Sequence, residues 1–369
     1  MRFVAAKPHS FLMYLACLLL LTACHPPGAV RPTVKLGLVA PFEGRYRYIG
    51  YDVIYAVKLA LREANAGEGV EGYSVELVAY DDGADPTMAG KQARKLSVDP
   101  ALVGAVGHFC PETTAAAASN YIEADISLVA PTAFTPQIAP EEANDFRIVR
   151  VGPAASALGD ALLHYLRESG SGRAALVTEG GVLGTALRQA ARQVGPVVSP
   201  ERPEWIEEVK ASGVRSVICD ADPVTAGEVV AALDDAGWMG DFLGGPALTT
   251  ADFAAVAGQS AEGAICVTPW PLPADISSIS FAADYRAVSN GVAPGPLALP
   301  AYEATWILLE ALERDIAMYG APTRRGVAKA LAETERDGLL GEIVFGPDGN
   351  WNTAPLYWYR VGEEGLFRF

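Results

Sequence analysis

The stretch VKLGLVAPFEGRYRYIGYDVIYAVKLALREAN, from Val34 to Asn65, joins a short apolar run to a longer amphipathic segment. The run Val34–Pro41 has the length and apolar content of a buried strand, and Tyr51–Asn65 carries apolar residues at helical spacing. A second apolar run, YSVELVAYDD (Tyr73–Asp82), follows after a glycine-rich turn. This succession predicts a strand, a helix and a parallel strand, which is the repeating unit of α/β folds.

The same alternation continues to about residue 270. Strands are predicted at ALVGAVG (101–107), DISLVAP (125–131), FRIVRVG (146–152), RAALVTE (173–179), SVICDAD (216–222), DFLGGPA (241–247) and GAICVTPW (263–270). Helices are predicted at Asp85–Ser97, Pro111–Glu123, Ala155–Glu168, Leu183–Gln193 and Val224–Ala236. The pattern restarts after Gly152, so the economical architecture is an α/β fold with two parallel-sheet units.

The C-terminal third follows a different pattern. Three helices are predicted in succession, at Ser278–Asn290, Pro300–Tyr319 and Pro322–Thr334, and they need a sheet to cover. The chain then closes with GEIVFGPDGNWNTAPLYWYRV (341–361), two β-rich runs around a turn rich in glycine, asparagine and aspartate. Such a turn predicts a β-hairpin.

The N-terminus has the features of an export signal. Arg2 and Lys7 precede the apolar run Phe11–Leu21, which is shorter than the roughly 20 residues that a membrane span needs. The segment LTAC, ending at Cys24, resembles a bacterial lipobox, which predicts lipidation of Cys24 after removal of residues 1–23. An ordinary cleaved signal is the alternative. The proline-rich residues 24–33 are predicted to form a tether.

Charge and composition exclude several classes of function. The formal net charge is −16 at pH 7, and no basic cluster interrupts the acidity, so neither nucleic acid nor an anionic lipid surface is a predicted partner. The four histidines lack the spacing of metal ligands, and we expect no metal or cofactor. Beyond the signal, Cys110, Cys219 and Cys266 are expected to be inert core thiols; one disulfide or a ligand contact is the alternative.

No catalytic motif stands out. The segment Gly67–Gly72 matches GxGxxG, but it follows a helix and precedes a strand, which is the reverse of the order in dinucleotide sites, so it is interpreted as a helix stop and turn. Asp85 is interpreted as a helix cap rather than a calcium ligand. The sequence has no GxSxG, phosphate-binding loop or HExxH motif, so we predict that the protein is not an enzyme. An envelope enzyme is a weaker alternative.

Several segments, in order and with regular spacing, carry a family resemblance. They are LVAPFEGRYRYIG, REANAGEGVEGYSVELVAYDDGADPTMAGKQARKL, VGHFC, FLGGPALTTADFAAVAGQSAEGAICVTPW, AYEATWILLEAL and GEIVFGPDGN. Together they resemble the leucine/isoleucine/valine-binding protein family, the solute receptors of bacterial ABC transporters. The resemblance implies two doubly wound domains joined by three hinge crossovers, near Val149–Gly152, Thr268–Pro271 and Gly341–Phe345, with the ligand in the cleft between them (the type I periplasmic binding protein fold).

The resemblance also implies domain boundaries and partners. Residues 34–150 plus 271–342 would form an N-terminal lobe, and residues 151–270 plus 343–369 a C-terminal lobe. The protein would be an extracytoplasmic monomer, anchored to the membrane through lipid on Cys24, that passes a small-molecule solute to the membrane subunits of an ABC permease. A sensory or scaffolding lipoprotein that keeps the fold without transport is the alternative.

Site residues carried over from the family depart from its usual pattern. In the turn containing Phe109 and Cys110, Pro111 stands where amino-acid receptors supply a serine hydroxyl, and Ala84 stands where Cys110 would have a disulfide partner. Phe134 replaces a threonine, which leaves Thr132, two residues earlier beside Ala133, as the available hydroxyl. Ala247 replaces the acid that meets the ligand ammonium, and Leu183 replaces a tyrosine. These losses predict a solute other than a standard α-amino acid.

Acidic residues at strand ends offer new contacts: Glu43, Glu112, Asp220 and Asp222. If several of them face the cleft, the ligand is cationic or donates several hydrogen bonds. The alternatives are structural, because Glu112 also suits the dipole of its helix and Asp222 also suits a helix cap. Likewise, the segment from Arg45 to Tyr48 is either a solvated loop or a polar rim or lid of the cleft.

Overall fold

Two mainly parallel sheets form the framework of the computed structural model, which describes residues 30–132, 147–188, 194–275, 280–363 and 365–369. The first sheet comprises β1 (Thr33–Ala40), β2 (Ser74–Asp81), β3 (Leu102–Gly107), β4 (Ser127–Ala130) and β5 (Ile148–Arg150). Its strands are all parallel in the order β2-β1-β3-β4-β5. The order reverses between β1 and β3, and such a switch point leaves a crevice at the carboxyl ends of these strands.

Three helices connect these strands: α1 (Arg47–Ala64), α2 (Pro86–Ser97) and α3 (Pro111–Glu123). The predicted cap of α2 is confirmed, because the Asp85 carboxylate accepts a hydrogen bond of 2.6 Å from the backbone N–H of Met88. A 3-10 turn, Gly44–Tyr46, precedes α1. The GxGxxG segment lies in the loop between α1 and β2, as interpreted from the sequence.

The second sheet repeats the same winding with β6 (Ala174–Thr178), β7 (Val194–Val198), β8 (Ser216–Asp220), β9 (Asp241–Gly244) and β10 (Ile265–Thr268). These strands lie in the order β7-β6-β8-β9-β10. The helices of this unit are α4 (Ala155–Glu168), α5 (Val182–Arg188), α6 (Trp205–Ala211), α7 (Pro223–Asp235) and α8 (Ala251–Ala257), with 3-10 turns at Pro246–Thr249 and Gly258–Ala261. The predicted class, two doubly wound α/β units, is confirmed.

The next three helices return to the first sheet: α9 (Phe281–Val288), α10 (Ala298–Tyr319) and α11 (Arg324–Ala332). Leu308 of α10 shares a buried core with Leu36 of β1 and Val106 of β3. A Cβ atom on Gly104 of β3 would lie 2.8 Å from Leu308 Cδ2, so the glycine permits the close approach of α10 to the sheet. The core of the first sheet is therefore completed by chain that follows the second sheet in sequence.

The predicted hairpin over residues 341–361 is wrong. Its first run forms β12 (Gly341–Val344), which pairs antiparallel with β11 (Glu335–Gly338); its second run forms β13 (Tyr357–Gly362), which pairs antiparallel with β10 and with β14 (Gly365–Arg368). The turn between the two runs packs against β5 of the first sheet. There, Asn350 accepts a hydrogen bond from the buried Arg150 side chain, and the backbones of the two residues form a β-bridge. After these contacts with β5, the chain continues to β13, which belongs to the second sheet.

The same segment bears on the lobe boundaries. Ile343, Phe345 and Trp351 are buried in the core of the first sheet, whereas Tyr359 of β13 is buried in the core of the second. The chain therefore still contributes to the first core at Trp351, and Ala354 packs against the same core, several residues beyond the crossover expected near Gly341–Phe345.

Candidate functional site

A cavity of about 560 Å³ lies between the two sheets, at the carboxyl ends of their strands. Its first-sheet wall consists of Tyr46, Tyr48, Ile49, Phe109–Glu112, Thr132, Trp270, Pro296 and Leu297. Its second-sheet wall consists of Ala155, Leu158, Glu179–Leu183, Cys219–Pro223, Gly245–Ala247 and Thr250. The volume falls within the roughly 300–1,000 Å³ typical of ligand sites, and the position is where open α/β sheets bind ligands.

The turn after β3 is fixed by hydrogen bonds to its own backbone. The Thr132 hydroxyl donates to the carbonyl of Phe109 at 2.7 Å, and the Thr114 hydroxyl lies 3.0 Å from the carbonyl of Cys110. Pro111 is the first residue of α3, so this end of the helix lacks one N–H. The sequence suggests that the Thr132 hydroxyl is available to a ligand. In the structure this hydroxyl donates its proton within the turn and has none left to donate to a ligand.

A buried pair lies beneath this turn. The His108 Nδ1 atom lies 2.6 Å from Asp82 Oδ2, and His108 Nε2 lies 3.2 Å from the Tyr121 hydroxyl. The side chains of His108 and Asp82 are fully buried. In the sequence, His108 is considered only as a metal ligand and lacks the spacing for that role. Its pairing with Asp82 has no local signal, because the two residues lie 26 positions apart, each after a different strand. The pair anchors the residue that immediately precedes the cavity.

On the opposite wall, Asp220 is the last residue of β8. Its Oδ2 atom accepts hydrogen bonds from the Thr178 hydroxyl at 2.9 Å and from the Gly184 N–H at 2.8 Å. Its Oδ1 atom has no hydrogen-bond partner among the described residues. Burial raises the pKa of Asp220, and the Glu112 charge on the facing wall raises it further, while the hydrogen bonds from Thr178 and Gly184 act in the opposite direction.

Glu179 and Asp222 form a second acidic pair on the same wall. Of the two interpretations left open for Asp222, the helix cap is confirmed: Asp222 Oδ1 accepts from the N–H groups of Val224 and Thr225 at the start of α7. Glu179 Oε2 accepts from the Asp222 N–H at 2.9 Å, and Glu179 Oε1 accepts from the Thr225 hydroxyl at 3.3 Å. Burial raises the pKa of Glu179, and the Asp222 charge contributes to the rise. Glu179 was missed in the sequence, although it ends the predicted strand 173–179 as Asp222 ends the predicted strand 216–222.

The segment from Arg45 to Tyr48 lies at the mouth of the cavity. Arg45 Nη2 is 2.8 Å from Asp222 Oδ2 on the opposite wall and 3.4 Å from the Thr225 hydroxyl. Tyr46 and Tyr48 line the cavity, and burial together with the Asp222 charge raises the pKa of Tyr46 to about 12. Of the two interpretations made from the sequence, this placement fits a polar rim.

Nine of the twelve site residues expected from the sequence line the cavity: Phe109, Cys110, Pro111, Glu112, Thr132, Leu183, Asp220, Asp222 and Ala247. Glu43 does not line it; it is exposed before the 3-10 turn of residues 44–46. Ala133 and Phe134 lie outside the described residues, as does Cys24. Cys110, Cys219 and Cys266 are free thiols, and burial raises the pKa of Cys110 and of Cys266 to about 12.

Across the described ranges, no group of three or more histidine, cysteine, aspartate or glutamate side chains is arranged to hold a metal ion. None of the helices in the same ranges combines the length and apolarity needed to cross a membrane.

Comparisons with known proteins agree with this geometry. The leucine-, isoleucine-, valine-, threonine- and alanine-binding protein of Pseudomonas aeruginosa is 24% identical over 344 residues, covering 89% of this chain and 90% of that protein. The leucine-binding protein LivK of Thermotoga maritima superposes with a TM-score of 0.80 at 19% identity, covering 91% of this chain and 97% of LivK. LivJ of Streptococcus pneumoniae, solved with isoleucine, gives a TM-score of 0.77 at 20% identity, covering 91% and 99%.

The family follows from a match that spans most of the sequence. Residues 33–365 match the model of the periplasmic binding protein family, which takes in every strand of both sheets except most of β14, and every segment that lines the cavity. The resemblance drawn from the ordered segments beginning at LVAPFEGRYRYIG is confirmed. This chain belongs to the periplasmic binding protein family.

Proposed function

We propose that this protein is the solute receptor of an ABC transporter of the branched-chain amino acid type. The observation that carries the proposal is the cavity of about 560 Å³ between the carboxyl ends of two doubly wound sheets. It combines an apolar lining with a few convergent polar groups, as ligand sites do. The names of relatives that bind leucine, isoleucine and valine support the same class.

Two lobes that close over the solute are part of the proposal. The first would comprise residues 34–150 plus 271–342, and the second residues 151–270 plus 343–369, as expected from the family. The burial of Ile343, Phe345 and Trp351 in the first core supports moving the third boundary to follow Trp351. Hinge closure between such lobes would shield the solute from water.

The solute is proposed to be a small amino-acid-like molecule, amide or amine. The residues at three positions of the usual amino-acid clamp cannot supply its groups, because Pro111, Leu183 and Ala247 have neither a hydroxyl nor a charge. Polar contacts would come instead from Asp220 and from the rim. The anchor of the receptor is proposed to be lipid on Cys24, outside the cytoplasm.

Binding without chemistry is the simplest activity for this cavity. Among the described residues that line it there is no histidine or lysine, and two of the four carboxylates that could act as a general base, Glu179 and Asp222, are held at the start of α7. The pKa of Cys110 is raised to about 12 by burial and by the charges of Asp82 and Glu112, so its thiol is protonated and a poor nucleophile. A receptor therefore fits better than an envelope enzyme.

A thermal-shift screen of amino acids, amides, polyamines and short peptides tests the proposal. A solute that binds only the folded state raises the melting temperature, by an amount that grows with its concentration. If no class raises it, and native mass spectrometry of protein purified without denaturation finds no bound molecule, the receptor proposal fails. Pull-down of a permease supports delivery, whereas pull-down of a sensor protein supports the scaffolding alternative. Replacing Cys24 by Ala should release the protein from membranes.

A further inference from the structure

We propose that the cavity binds a primary amine that has an apolar body and no carboxylate, and that Asp220 is the group that receives the ammonium. This inference rests on the proposed function, because it takes the cavity to be a solute site, but it goes further by naming the charge of the solute and the residue that selects it. The argument uses the charges of the lining, the hydrogen bonds of each acid, and the residues on the facing wall.

The charged groups among the described residues that line the cavity all have one sign. Glu112, Glu179, Asp220 and Asp222 are lining residues, and no lysine, arginine or histidine joins them among the described lining residues. Arg45 reaches only the mouth, where it pairs with Asp222. A zwitterion or an anion would bring a carboxylate into this field without a partner, and burying an unpaired charge is costly.

Of the three acids on the second-sheet wall, Asp220 is the one with a carboxylate oxygen that no described donor reaches. Asp222 is engaged through both oxygens, by two backbone N–H groups, the Thr225 hydroxyl and Arg45. Glu179 Oε2 accepts from the Asp222 N–H, and Glu179 Oε1 lies 3.3 Å from the Thr225 hydroxyl, whose one proton is shared with Asp222 Oδ2 at 2.6 Å. Asp220 Oδ2 has two donors, whereas Oδ1 has no hydrogen-bond partner in the described structure. An ammonium group has three donors and suits that oxygen.

The facing wall supplies a second negative charge rather than a counter-ion. Glu112 lies in the first turn of α3 and lines the same cavity. Its charge contributes to the raised pKa of Asp220, so the two carboxylates repel each other across the cavity. A cation placed between them would relieve this repulsion and favour approach of the two walls.

The same wall offers little to a carboxylate. Pro111 at the start of α3 has no N–H to donate, and the Thr132 hydroxyl already donates to the Phe109 carbonyl. A carboxylate brought to this helix end would also meet Glu112. The first-sheet wall can instead hold an apolar body, through the side chains of Ile49, Phe109, Trp270 and Leu297.

Three probes that share one carbon skeleton separate the charge requirements. Leucine carries both charged groups, 3-methylbutylamine lacks the carboxylate, and 4-methylpentanoate lacks the ammonium. Isothermal titration of the full chain, freed of co-purified solute by unfolding and refolding, should show the amine binding at least about tenfold more tightly than leucine. The carboxylate should show no binding. Because Asp220 makes a charge-assisted hydrogen bond, Asp220→Asn should weaken amine binding by about 10- to 100-fold.

Matched variants keep the result interpretable. Asp235→Asn removes one negative charge from an exposed position at the end of α7 and should leave amine affinity unchanged. Glu112→Lys alters an exposed residue, so it should fold normally and abolish amine binding even if Asp220→Asn folds poorly. Tighter binding of leucine than of the amine, or equal amine affinity in the wild type and both cavity variants, would overturn the inference but leave the receptor function intact. If none of the three probes and no member of the broader solute panel binds, both proposals fail.

Discussion

Arg45 Nη2 lies 2.8 Å from Asp222 Oδ2 and so joins the loop after β1 to the loop after β8 across the mouth of the cavity. Asp222 is nearly buried, with 3% of its side chain exposed, whereas half of the Arg45 side chain is exposed. The pair links the two walls directly, through one side chain from each. We infer that it stabilises the arrangement in which the walls are close together.

Replacing Arg45 by Ala should weaken solute binding about two- to fivefold, because a partly exposed ion pair contributes no more than about 1 kcal/mol. Titration calorimetry at low and high salt measures this effect, and the difference from wild type should shrink as salt screens the pair. Arg47→Ala is the control, since Arg47 lies on the same segment and makes only a 3.5 Å contact with the Gly44 carbonyl. Equal losses in the two variants would mean that the pair has no special role.

Removing His108 should destabilise the fold more than a typical surface change. His108→Ala leaves the fully buried Asp82 carboxylate without the ring that lies 2.6 Å from it, at a cost of about 2–4 kcal/mol in the free energy of unfolding. Denaturant unfolding measures the loss. His164→Ala, at an exposed position of α4, should change stability by no more than about 0.5 kcal/mol.

The position of His108 beneath the binding turn adds a second readout. The variant should also bind solute more weakly at temperatures where it is still folded, because the Phe109–Pro111 turn loses its anchor. If His108→Ala is as stable as wild type and binds with unchanged affinity, the anchoring role is contradicted.

Asp52 should make stability fall as the pH rises through the acidic range. Burial raises its pKa to about 6, against hydrogen bonds from the Gly295 and Leu297 N–H groups that lower it. The folded state therefore holds this proton more tightly than the unfolded state, so the associated stability is full below about pH 4 and is lost by about pH 6–7. The change amounts to about 3 kcal/mol.

Asp52→Asn tests this slope. The amide cannot ionise, so the pH-dependent loss between about pH 4 and 7 should be smaller in the variant than in wild type, as followed by denaturant unfolding at each pH. At neutral pH the variant gains no large stability, because its NH₂ group faces one of the two N–H donors that Asp52 accepts from. Parallel wild-type and variant curves would show that Asp52 does not titrate in this range.

Replacing Arg336 should lower the stability of the fold, because this residue of β11 pairs with two carboxylates of α10. It donates to Glu303 at 2.6 Å and also pairs with Glu310, and the Glu303 side chain is fully buried. Arg336→Ala would leave that carboxylate with only the Leu339 N–H, so we expect a loss of about 3 kcal/mol in unfolding free energy. Arg325→Ala, whose side chain is 87% exposed, should cost less than about 0.5 kcal/mol. Similar values for the two variants would contradict this account.

Most of the framework could be predicted because it depends on local patterns. The apolar runs of β1 and β3 and the capped start of α2 follow directly from residue spacing and turn chemistry. The strand pairing of residues 341–361 could not be predicted from the sequence. It depends on the contact of Asn350 with the distant Arg150 and on the buried pair of Arg336 with Glu303. No local pattern reports such contacts.

In the candidate site too, residues with a local signal could be predicted, and contacts between distant segments could not. Asp220 and Asp222 could be found because they lie at and just after the end of an apolar strand, which places them at the carboxyl edge of a parallel sheet. Glu179 has the same signal and was overlooked. The link between Arg45 and Asp222 and the use of the Thr132 proton within the turn depend on how two walls and a loop pack, which sequence spacing does not specify.

A crystal structure of the protein with its tightest-binding solute, taken from the thermal-shift screen and added at saturating concentration, tests the central claim most directly. The account predicts the solute in the cavity between the two sheets, with its polar end at Asp220 and its apolar body against Phe109 and Trp270. A solute bound elsewhere on the protein, with the cavity empty, would contradict it.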